Sequence, residues 1–122
     1  MSAAMDAAAL EADLNAMILK GAILDAFEKH YAEDVAMQEN ADPPCRGKAA
    51  NRAREQAFVD SVAALHAVRL LGGAVTGERA YSEWEMDVTF KNGQRVLMTQ
   101  CAARRWQNGK VAQERFYYNK SG

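Results

Sequence analysis

Cysteine and proline are both scarce in this sequence, with two residues of each among 122. Cys45 and Cys101 are too few and too far apart to indicate a disulfide framework or a Cys-x-x-Cys site. With His30 and His66 they would make four zinc ligands, but neither histidine lies at ligand spacing from a cysteine. The sequence therefore predicts two reduced thiols and no metal site.

Long runs of basic residues and long runs of apolar residues are also missing. The formal net charge is −1, and no run of lysine or arginine is longer than Arg104-Arg105. Nucleic acid binding depends on clustered cations, so nucleic acid is not an expected partner. No apolar stretch approaches the roughly 18 residues that span a bilayer. Because the N-terminal segment carries Asp6, Glu11 and Asp13 and no basic region, it does not resemble a secretory signal. We expect a cytoplasmic protein without a membrane partner.

The composition that remains is typical of one globular domain. Hydrophobic residues make up 49% and charged residues 25%, which excludes disordered and fibrous classes. A chain of this length buries about two-thirds of its unfolded surface, so it can form a core of its own. We expect a single domain over residues 1–122, with residues 1–8 as a frayed tail.

The first half of the chain has helical periodicity. Apolar side chains recur at spacings of three, four and seven between about Asp6 and Tyr31, which predicts one long helix weakened at Gly21. A second amphipathic helix is predicted from Gly47 to Leu65. Between the two, Val35-Ala36-Met37 is typical of a short strand, and Pro43-Pro44 stops strand and helix from continuing into the loop.

The second half changes to the β-branched and aromatic pattern of strands. Asn92-Gly93 and Asn108-Gly109 are strong signals of two-residue hairpin turns, because a type I′ turn needs positive φ at both central residues. We therefore expect an antiparallel meander of four strands covering His66–Thr76, Arg79–Phe90, Gln94–Trp106 and Lys110–Tyr118.

Two-residue turns would place Lys91 opposite Gln94 and Gln107 opposite Lys110. A bulge in either hairpin would slip one strand and exchange its faces. Counted outward from the turns, one face aligns Trp84 with Cys101 and Phe116, aligns Met86 with Thr99 and Tyr118, and places Glu114 beside Ala103. The outer face then collects Glu83, Glu85, Asp87, Gln100, Arg104 and Arg115, with Met98, Trp106, Val111 and Tyr117 among these charges.

The element order resembles the cone-shaped fold of ketosteroid isomerase, scytalone dehydratase, SnoaL polyketide cyclases and nuclear transport factor 2. The segments AFEKHYAEDVAMQEN, PPCRG, EWEMDVTF and RWQNGKVAQERFYYN are most similar to the SnoaL-like branch. The likeness covers nearly all of the chain from about residue 20 onward. It implies an α+β fold in which N-terminal helices pack in the concave face of a curved antiparallel β-sheet.

The resemblance also implies a function in one of two classes. The first is an enzyme that binds a small, largely apolar or amphipathic molecule in the cone and performs cofactor-free proton transfer, as an isomerase, cyclase or dehydratase. The second is a non-catalytic ligand-binding or dimerisation module of the same fold. Relatives usually form homodimers through the sheet, and the exposed apolar residues of the predicted outer face fit that arrangement.

Glu39 is the candidate general base. Aligning Tyr31-Ala32-Glu33-Asp34 with the corresponding ketosteroid isomerase motif places Glu39 on the catalytic aspartate. Apolar neighbours such as Met37 would have to raise its pKa; otherwise Glu39 is a solvated turn residue. The isomerase's oxyanion hole is not matched, because the first helix has no tyrosine before Tyr31 and the later acidic position falls on Ala102 or Ala103. Steroid-type isomerisation is therefore not expected.

Glu114 is the second candidate, because a charge among apolar side chains is costly unless it is paired. It would act as an acid or base or hold a substrate hydroxyl, or it would form a structural ion pair with Arg105, Arg52 or Arg54. The predicted catalytic residues are thus Glu39, Glu114 and Tyr118, the last as an acid or positioning group. The predicted ligand-binding residues are Tyr31, Met37, Trp84, Met86, Cys101 and Phe116.

Two histidines have simpler interpretations. His66 enters a strand, where it would shuttle protons near neutral pH or remain solvated. His30 lies near the end of the first helix, a favourable position for a cation in the helix dipole.

Overall fold

The computed structural model describes the backbone of residues 3–119 and the side chains of residues 7–119. Within this range are the helices α1 (Ala3–Leu19), α2 (Ile23–His30) and α3 (Lys48–Ser61). The strands are β1 (Tyr31–Glu39), β2 (Cys45–Arg46), β3 (Val62–Thr76), β4 (Arg79–Phe90), β5 (Arg95–Gln107) and β6 (Lys110–Tyr117). Residues 3–8 of the segment expected to be a tail belong to α1, and residues 1–2 lie outside the described residues. No helix in the described range is both long and apolar enough to cross a membrane.

The long first helix predicted from the periodicity is divided in two. Gly21 has a φ of 81°, a left-handed conformation that glycine adopts easily and that ends α1. The Gly21 amide donates to the Ile18 carbonyl oxygen at 2.9 Å, and the Ala22 amide donates to that of Met17 at 3.0 Å. The chain restarts as α2, and Tyr31, predicted as helical, begins β1 instead.

The second predicted helix is shorter than expected at its C-terminal end. α3 stops at Ser61, because Val62 adopts an extended conformation and pairs with Phe90 in the sheet. At the other end, the buried Asn51 amide donates to the carbonyl oxygens of Cys45 and Gly47, both at 2.9 Å. These bonds attach the start of α3 to β2.

The six strands form one curved, unclosed sheet in the order β2-β1-β6-β5-β4-β3. Strands β3 to β6 are the predicted antiparallel meander. β1 joins β6 in parallel and β2 pairs with β1 in antiparallel orientation. The helices pack on the concave face, where the core includes Leu14, Phe27, Val35, Trp106 and Val111. The predicted α+β cone is thus confirmed.

The first hairpin differs from the predicted register by one residue. The Lys91 amide donates to the Ser61 carbonyl oxygen at 2.8 Å, so Lys91 does not pair with Gln94. Instead the Phe90 amide donates to the Gln94 carbonyl oxygen at 2.8 Å, which closes a three-residue turn. The predicted alignments of Trp84 with Cys101 and of Met86 with Thr99 are therefore wrong. Trp84 lies opposite Gln100 and Met86 opposite Met98.

The second hairpin begins as predicted, with Gln107 opposite Lys110, and is then offset by a bulge. Trp106 pairs with Val111 and Arg105 with Gln113, so Ala112 is an extra residue on β6. The predicted pairs of Ala103 with Glu114, Cys101 with Phe116 and Thr99 with Tyr118 are consequently wrong. Arg104 lies opposite Glu114, Ala102 opposite Phe116 and Cys101 opposite Tyr117.

The first shift exchanges the faces of β5, and the bulge at Ala112 returns the following residues of β6 to their predicted faces. Gln100 and Arg104, predicted on the outer face, lie on the concave side, and Cys101 lies on the outer side. Met98, Trp106 and Val111 also leave the predicted outer patch, because Met98 faces the cavity and the other two are core residues. The outer face retains Tyr117 and Arg115 of β6 and the acidic row Glu83, Glu85 and Asp87 of β4.

Candidate functional site

A cavity of about 300 Å³ lies between the helices and the concave face of the sheet. Its walls are largely apolar, with four aromatic and three sulfur-containing side chains from the sheet and α3: Tyr31, Met37, Phe58, Trp84, Met86, Met98 and Phe116. Into this apolar space project three carboxylates, Glu39, Glu55 and Glu114. A concave apolar pocket with a few convergent polar groups is the usual form of a small-molecule site.

Glu114 is fixed at the wall of the cavity by two donors. Its side chain is fully buried, and Oε2 accepts hydrogen bonds from Tyr31 Oη at 2.5 Å and Arg104 Nε at 2.6 Å. The pKa of Tyr31 is raised well above its usual value, first by burial and then by the Glu114 charge, so Tyr31 keeps its proton. The second oxygen, Oε1, is buried and has no hydrogen-bond partner in the described structure.

Arg104 connects this carboxylate to α1. Its Nη1 donates to Glu11 Oε2 and to Asn15 Oδ1, both at 2.8 Å, and Trp106 Nε1 donates to Glu11 Oε1 at 2.9 Å. Burial lowers the pKa of the Arg104 guanidinium, but Tyr31, Glu114 and Glu11 raise it more, so Arg104 stays charged. The buried cation pairs with two carboxylates, and its three hydrogen bonds hold it between β5, β6 and the helix.

Glu55 is the least constrained of the three carboxylates. It lies on α3, half-buried, with no hydrogen bond or ion pair to any described residue. Burial raises the pKa of its carboxyl to about 7, the negative charge of Glu114 adds to the rise, and Arg54 opposes it. A carboxyl group that titrates near neutral pH can both accept and donate a proton under physiological conditions.

Glu39 lies at the end of β1, where the cavity opens. Arg54 Nη2 donates to Glu39 Oε2 at 3.0 Å, and Tyr118 Oη donates to Oε1 at 3.0 Å. The Glu39 side chain is 39% exposed. Glu39 is therefore an ion-paired residue at the mouth rather than a desolvated carboxylate.

Gln100 adds a neutral hydrogen-bonding group to the wall. It lies on β5 opposite Trp84, and its amide has no hydrogen bond to the described residues. An unpaired amide can donate to a carbonyl oxygen or accept from a hydroxyl group of a bound molecule.

The structure brings most of the predicted site residues to this cavity. Tyr118 contacts it indirectly through its hydrogen bond to Glu39, whereas Cys101 is directed to the outer face by the hairpin shift. The predicted site residues that line the cavity are Tyr31, Met37, Glu39, Trp84, Met86, Glu114 and Phe116. The predicted ion-pair partner of Glu114 was wrong, because Arg104 rather than Arg105, Arg52 or Arg54 forms the bond.

Sequence reasoning missed Glu55, Gln100 and Arg104. Glu55 is four residues after the buried Asn51 and three before Phe58, so helical spacing alone places it on the cavity side of α3. That signal was available in the sequence. Gln100 and Arg104 depended on the hairpin register, which the sequence did not reveal.

The two histidines lie away from the cavity wall. His66 Nε2 is 2.8 Å from Thr89 Oγ1 in an exposed position on β3. His30 ends α2, is buried, and contacts Asp13 Oδ2 through Nε2 at 2.7 Å. Burial lowers its pKa, although Asp13 opposes the change. Among the described residues no group of three or more His, Cys, Asp or Glu side chains is arranged to hold a metal ion.

Fold and cavity together define a class of protein. An unclosed, curved sheet around N-terminal helices is the cone architecture shared by nuclear transport factor 2-like and ketosteroid isomerase-like proteins. Within that class the chain matches the SnoaL-like domain family over residues 5–118, and it belongs to that family.

Solved structures agree with this assignment. A protein from Mesorhizobium loti assigned to the SnoaL-like polyketide cyclases is 30% identical, with a TM-score of 0.82 over 91% of this chain and 97% of the other. A Pseudomonas putida protein assigned to the polyketide cyclases is 25% identical, with a TM-score of 0.69 and coverage of 98% and 93%. An LEH-like epoxide hydrolase of M. tuberculosis, 19% identical, shares the fold, with a TM-score of 0.73 and coverage of 95% and 84%. A comparison with curated protein sequences finds no significant match.

Proposed function

We propose that this SnoaL-like protein binds a small, largely apolar molecule bearing a carbonyl or hydroxyl group and catalyses cofactor-independent proton transfer on it. The reaction class is that of an isomerase, cyclase or dehydratase. The observation that carries the proposal is Glu55, an unpaired carboxyl group with a pKa of about 7 in the wall of an apolar cavity. The structural relatives assigned to polyketide cyclases support the same class of chemistry.

In this proposal Glu55 replaces Glu39 as the proton-transferring group. A general base works best when its pKa lies near the working pH and its lone pair is free. Glu39 already accepts hydrogen bonds from Arg54 and Tyr118, whereas Glu55 accepts none. Glu39, Arg54 and Tyr118 would then orient the substrate at the cavity mouth.

The remaining polar groups have complementary roles. The Glu55 carboxylate would remove a proton from the carbon next to a substrate carbonyl and return it at a second position. The Gln100 amide would donate to the carbonyl oxygen as negative charge develops there. Glu114, fixed through Oε2 by Tyr31 and Arg104, would accept a hydrogen bond from a substrate hydroxyl group at the cavity wall.

The test measures hydrogen–deuterium exchange next to a carbonyl. 2-Tetralone, an apolar cyclic ketone with acidic α-protons, is incubated with the protein in D₂O and followed by proton NMR. We expect exchange above the buffer rate, and a loss of at least about 100-fold in Glu55→Gln, since general base catalysis contributes about that much. Ketone binding, measured by chemical-shift perturbation, should persist in this variant because Gln keeps the shape of the side chain.

Glu83→Gln is the matched control, because it removes the same charge from the outer face of the sheet. It should exchange at the wild-type rate. Exchange unchanged in Glu55→Gln would remove Glu55 from the chemistry. Ketone that binds without any exchange above the buffer rate would favour the second class, a non-catalytic binding module.

We also propose a homodimer formed through the outer face of the sheet, in a cytoplasmic protein. Three of the residues first expected to form the apolar patch, Met98, Trp106 and Val111, lie inside. Tyr117 remains on this face and is 46% exposed, together with Tyr81 at 40% and Leu97 at 56%. Exposed apolar side chains on one face of a curved sheet support a self-complementary contact.

A further inference from the structure

A second hollow, of about 270 Å³, lies on the outer face of the sheet, around β1, β2, β4, β5 and β6. Two small residues, Ala36 and Ala103, leave space at its centre. Their neighbours in the register are Arg46 beside Ala36 and Arg115 beside Ala103. The hollow is lined by four outer-face arginines: Arg46, Arg79, Arg105 and Arg115.

These arginines lack anionic partners. Arg46, Arg79 and Arg105 form no side-chain hydrogen bond or ion pair with the described residues. Arg105 Nε is also buried without a partner, which is costly for a charged donor. Arg115 Nε donates to the Asn40 carbonyl oxygen at 2.7 Å, and its guanidinium lies 4.7 Å from the Tyr117 ring centre.

The strand register places two of these arginines next to each other. Arg79 of β4 lies directly opposite Arg105 of β5, and like charges in that position destabilise a sheet. Glu114 and Arg104 also line the hollow, but their side chains form their ion pair on the concave side of the sheet, where Arg104 also pairs with Glu11. None of the four arginines forms an ion pair with a described carboxylate, so their positive charges are concentrated at the hollow.

We propose that this hollow binds a phosphate-type oxyanion, either free phosphate or the phosphate group of an organic ester. Guanidinium groups bind tetrahedral oxyanions through paired N–H donors. An anion bound among several arginines also offsets the repulsion between their positive charges. The site is separate from the proposed proton-transfer function.

The experiment titrates the intact protein with sodium phosphate at constant ionic strength and follows binding by calorimetry and the melting temperature. We expect saturable binding, a rise in melting temperature that chloride does not reproduce, and at least tenfold weaker binding in Arg79→Gln. Arg79 is exposed, so this variant should fold. Arg105→Gln is the second variant and should lose the phosphate-dependent rise as well.

Arg69→Gln is the matched control, since Arg69 is an exposed arginine on β3 outside the hollow. It should bind phosphate as the wild type does. Phenyl phosphate, tested in parallel, distinguishes the sources: tighter binding than inorganic phosphate identifies an organic ester, and equal binding identifies the free anion.

Two results would overturn the site. One is the absence of saturable phosphate binding. In that case, a change of oligomeric state in Arg79→Gln would indicate that a second copy of the chain fills the hollow. The other is equal weakening in Arg79→Gln and Arg69→Gln, which would indicate general charge screening.

Discussion

Two carboxylates in one cavity differ because of their immediate neighbours. Glu114 is held by Tyr31 and Arg104 within 2.6 Å, which fixes its orientation and balances its charge. Glu55 has no such donor, and burial raises its pKa to about 7. An unpaired carboxyl group with a pKa near neutral in an apolar cavity is typical of acid–base sites. The division of roles between a fixed and a titrating glutamate follows from this contrast.

The raised pKa of Glu55 has a consequence for stability. The folded-state pKa of Glu55 is about 7, whereas its ordinary value is 4.5. Glu55 therefore contributes to the free energy of unfolding fully below pH 4.5, and this contribution is lost as pH rises through 7. Glu55→Gln removes this loss. We expect the free energy of unfolding of the variant, relative to the wild type, to increase between pH 5 and pH 8 in urea titrations. A difference independent of pH would contradict the raised pKa.

Arg104 makes a second prediction at this scale. Arg104→Met leaves Glu11 and Glu114 buried without their cation, which should cost about 3–5 kcal/mol of unfolding free energy. Arg95→Met is the matched control, because Arg95 forms a similar bond with Asp87 at the surface, and it should cost at most about 1 kcal/mol. An equal loss of unfolding free energy in Arg104→Met and Arg95→Met, measured by chemical denaturation, would show that the buried network is not a stabilising unit.

At the scale of elements, local signals located the turns but not their registers. Asn92-Gly93 and Asn108-Gly109 correctly mark both hairpins. The register depends on a distant contact in the first, where Lys91 bonds Ser61, and on an extra residue, Ala112, in the second. Neither has a signature in adjacent residues. The one-residue shift of the first hairpin reversed the faces of β5, and the bulge of the second changed the pairing of β6.

The cavity could be predicted only in part for the same reason. Tyr31, Met37 and Glu39 on β1 do not depend on the hairpins, and they line the cavity as expected. Gln100 and Arg104 required the register. Predicting Glu55 required knowing which side of α3 faces the cavity, because the apolar stripe of the helix alone does not include it.

Two neighbouring glycines of β3 allow a matched test of the sheet. A Cβ on Gly73 would lie 2.7 Å from the Tyr81 carbonyl oxygen, whereas one on Gly72 would have no atom within 4 Å. Gly73→Ala must therefore shift the β3–β4 backbone, and we expect it to cost at least about 1 kcal/mol. Gly72→Ala should be neutral or stabilising. Thermal unfolding of both variants checks this prediction. Equal changes in melting temperature would contradict the close approach of Gly73 to the Tyr81 carbonyl oxygen.

At the scale of the whole molecule, the outer sheet face should mediate dimerisation. Leu97 is 56% exposed on this face, and Leu97→Glu introduces a charge beside Asp87. We expect the wild type to elute as a dimer in size-exclusion chromatography with light scattering, and Leu97→Glu to shift towards monomer. Leu19→Glu, at the exposed end of α1, should remain dimeric. A monomeric wild type at micromolar concentration would rule out the proposed interface.

The central claim is that Glu55 transfers protons in the cavity, and the pH dependence of α-proton exchange tests it most directly. Exchange of 2-tetralone should rise with pH as Glu55 ionises, reach half of its maximum near pH 7, and lose this transition in Glu55→Gln. The Glu83→Gln protein should keep the transition. A profile that is the same in the wild type and Glu55→Gln, or one with no transition near pH 7, would contradict the claim.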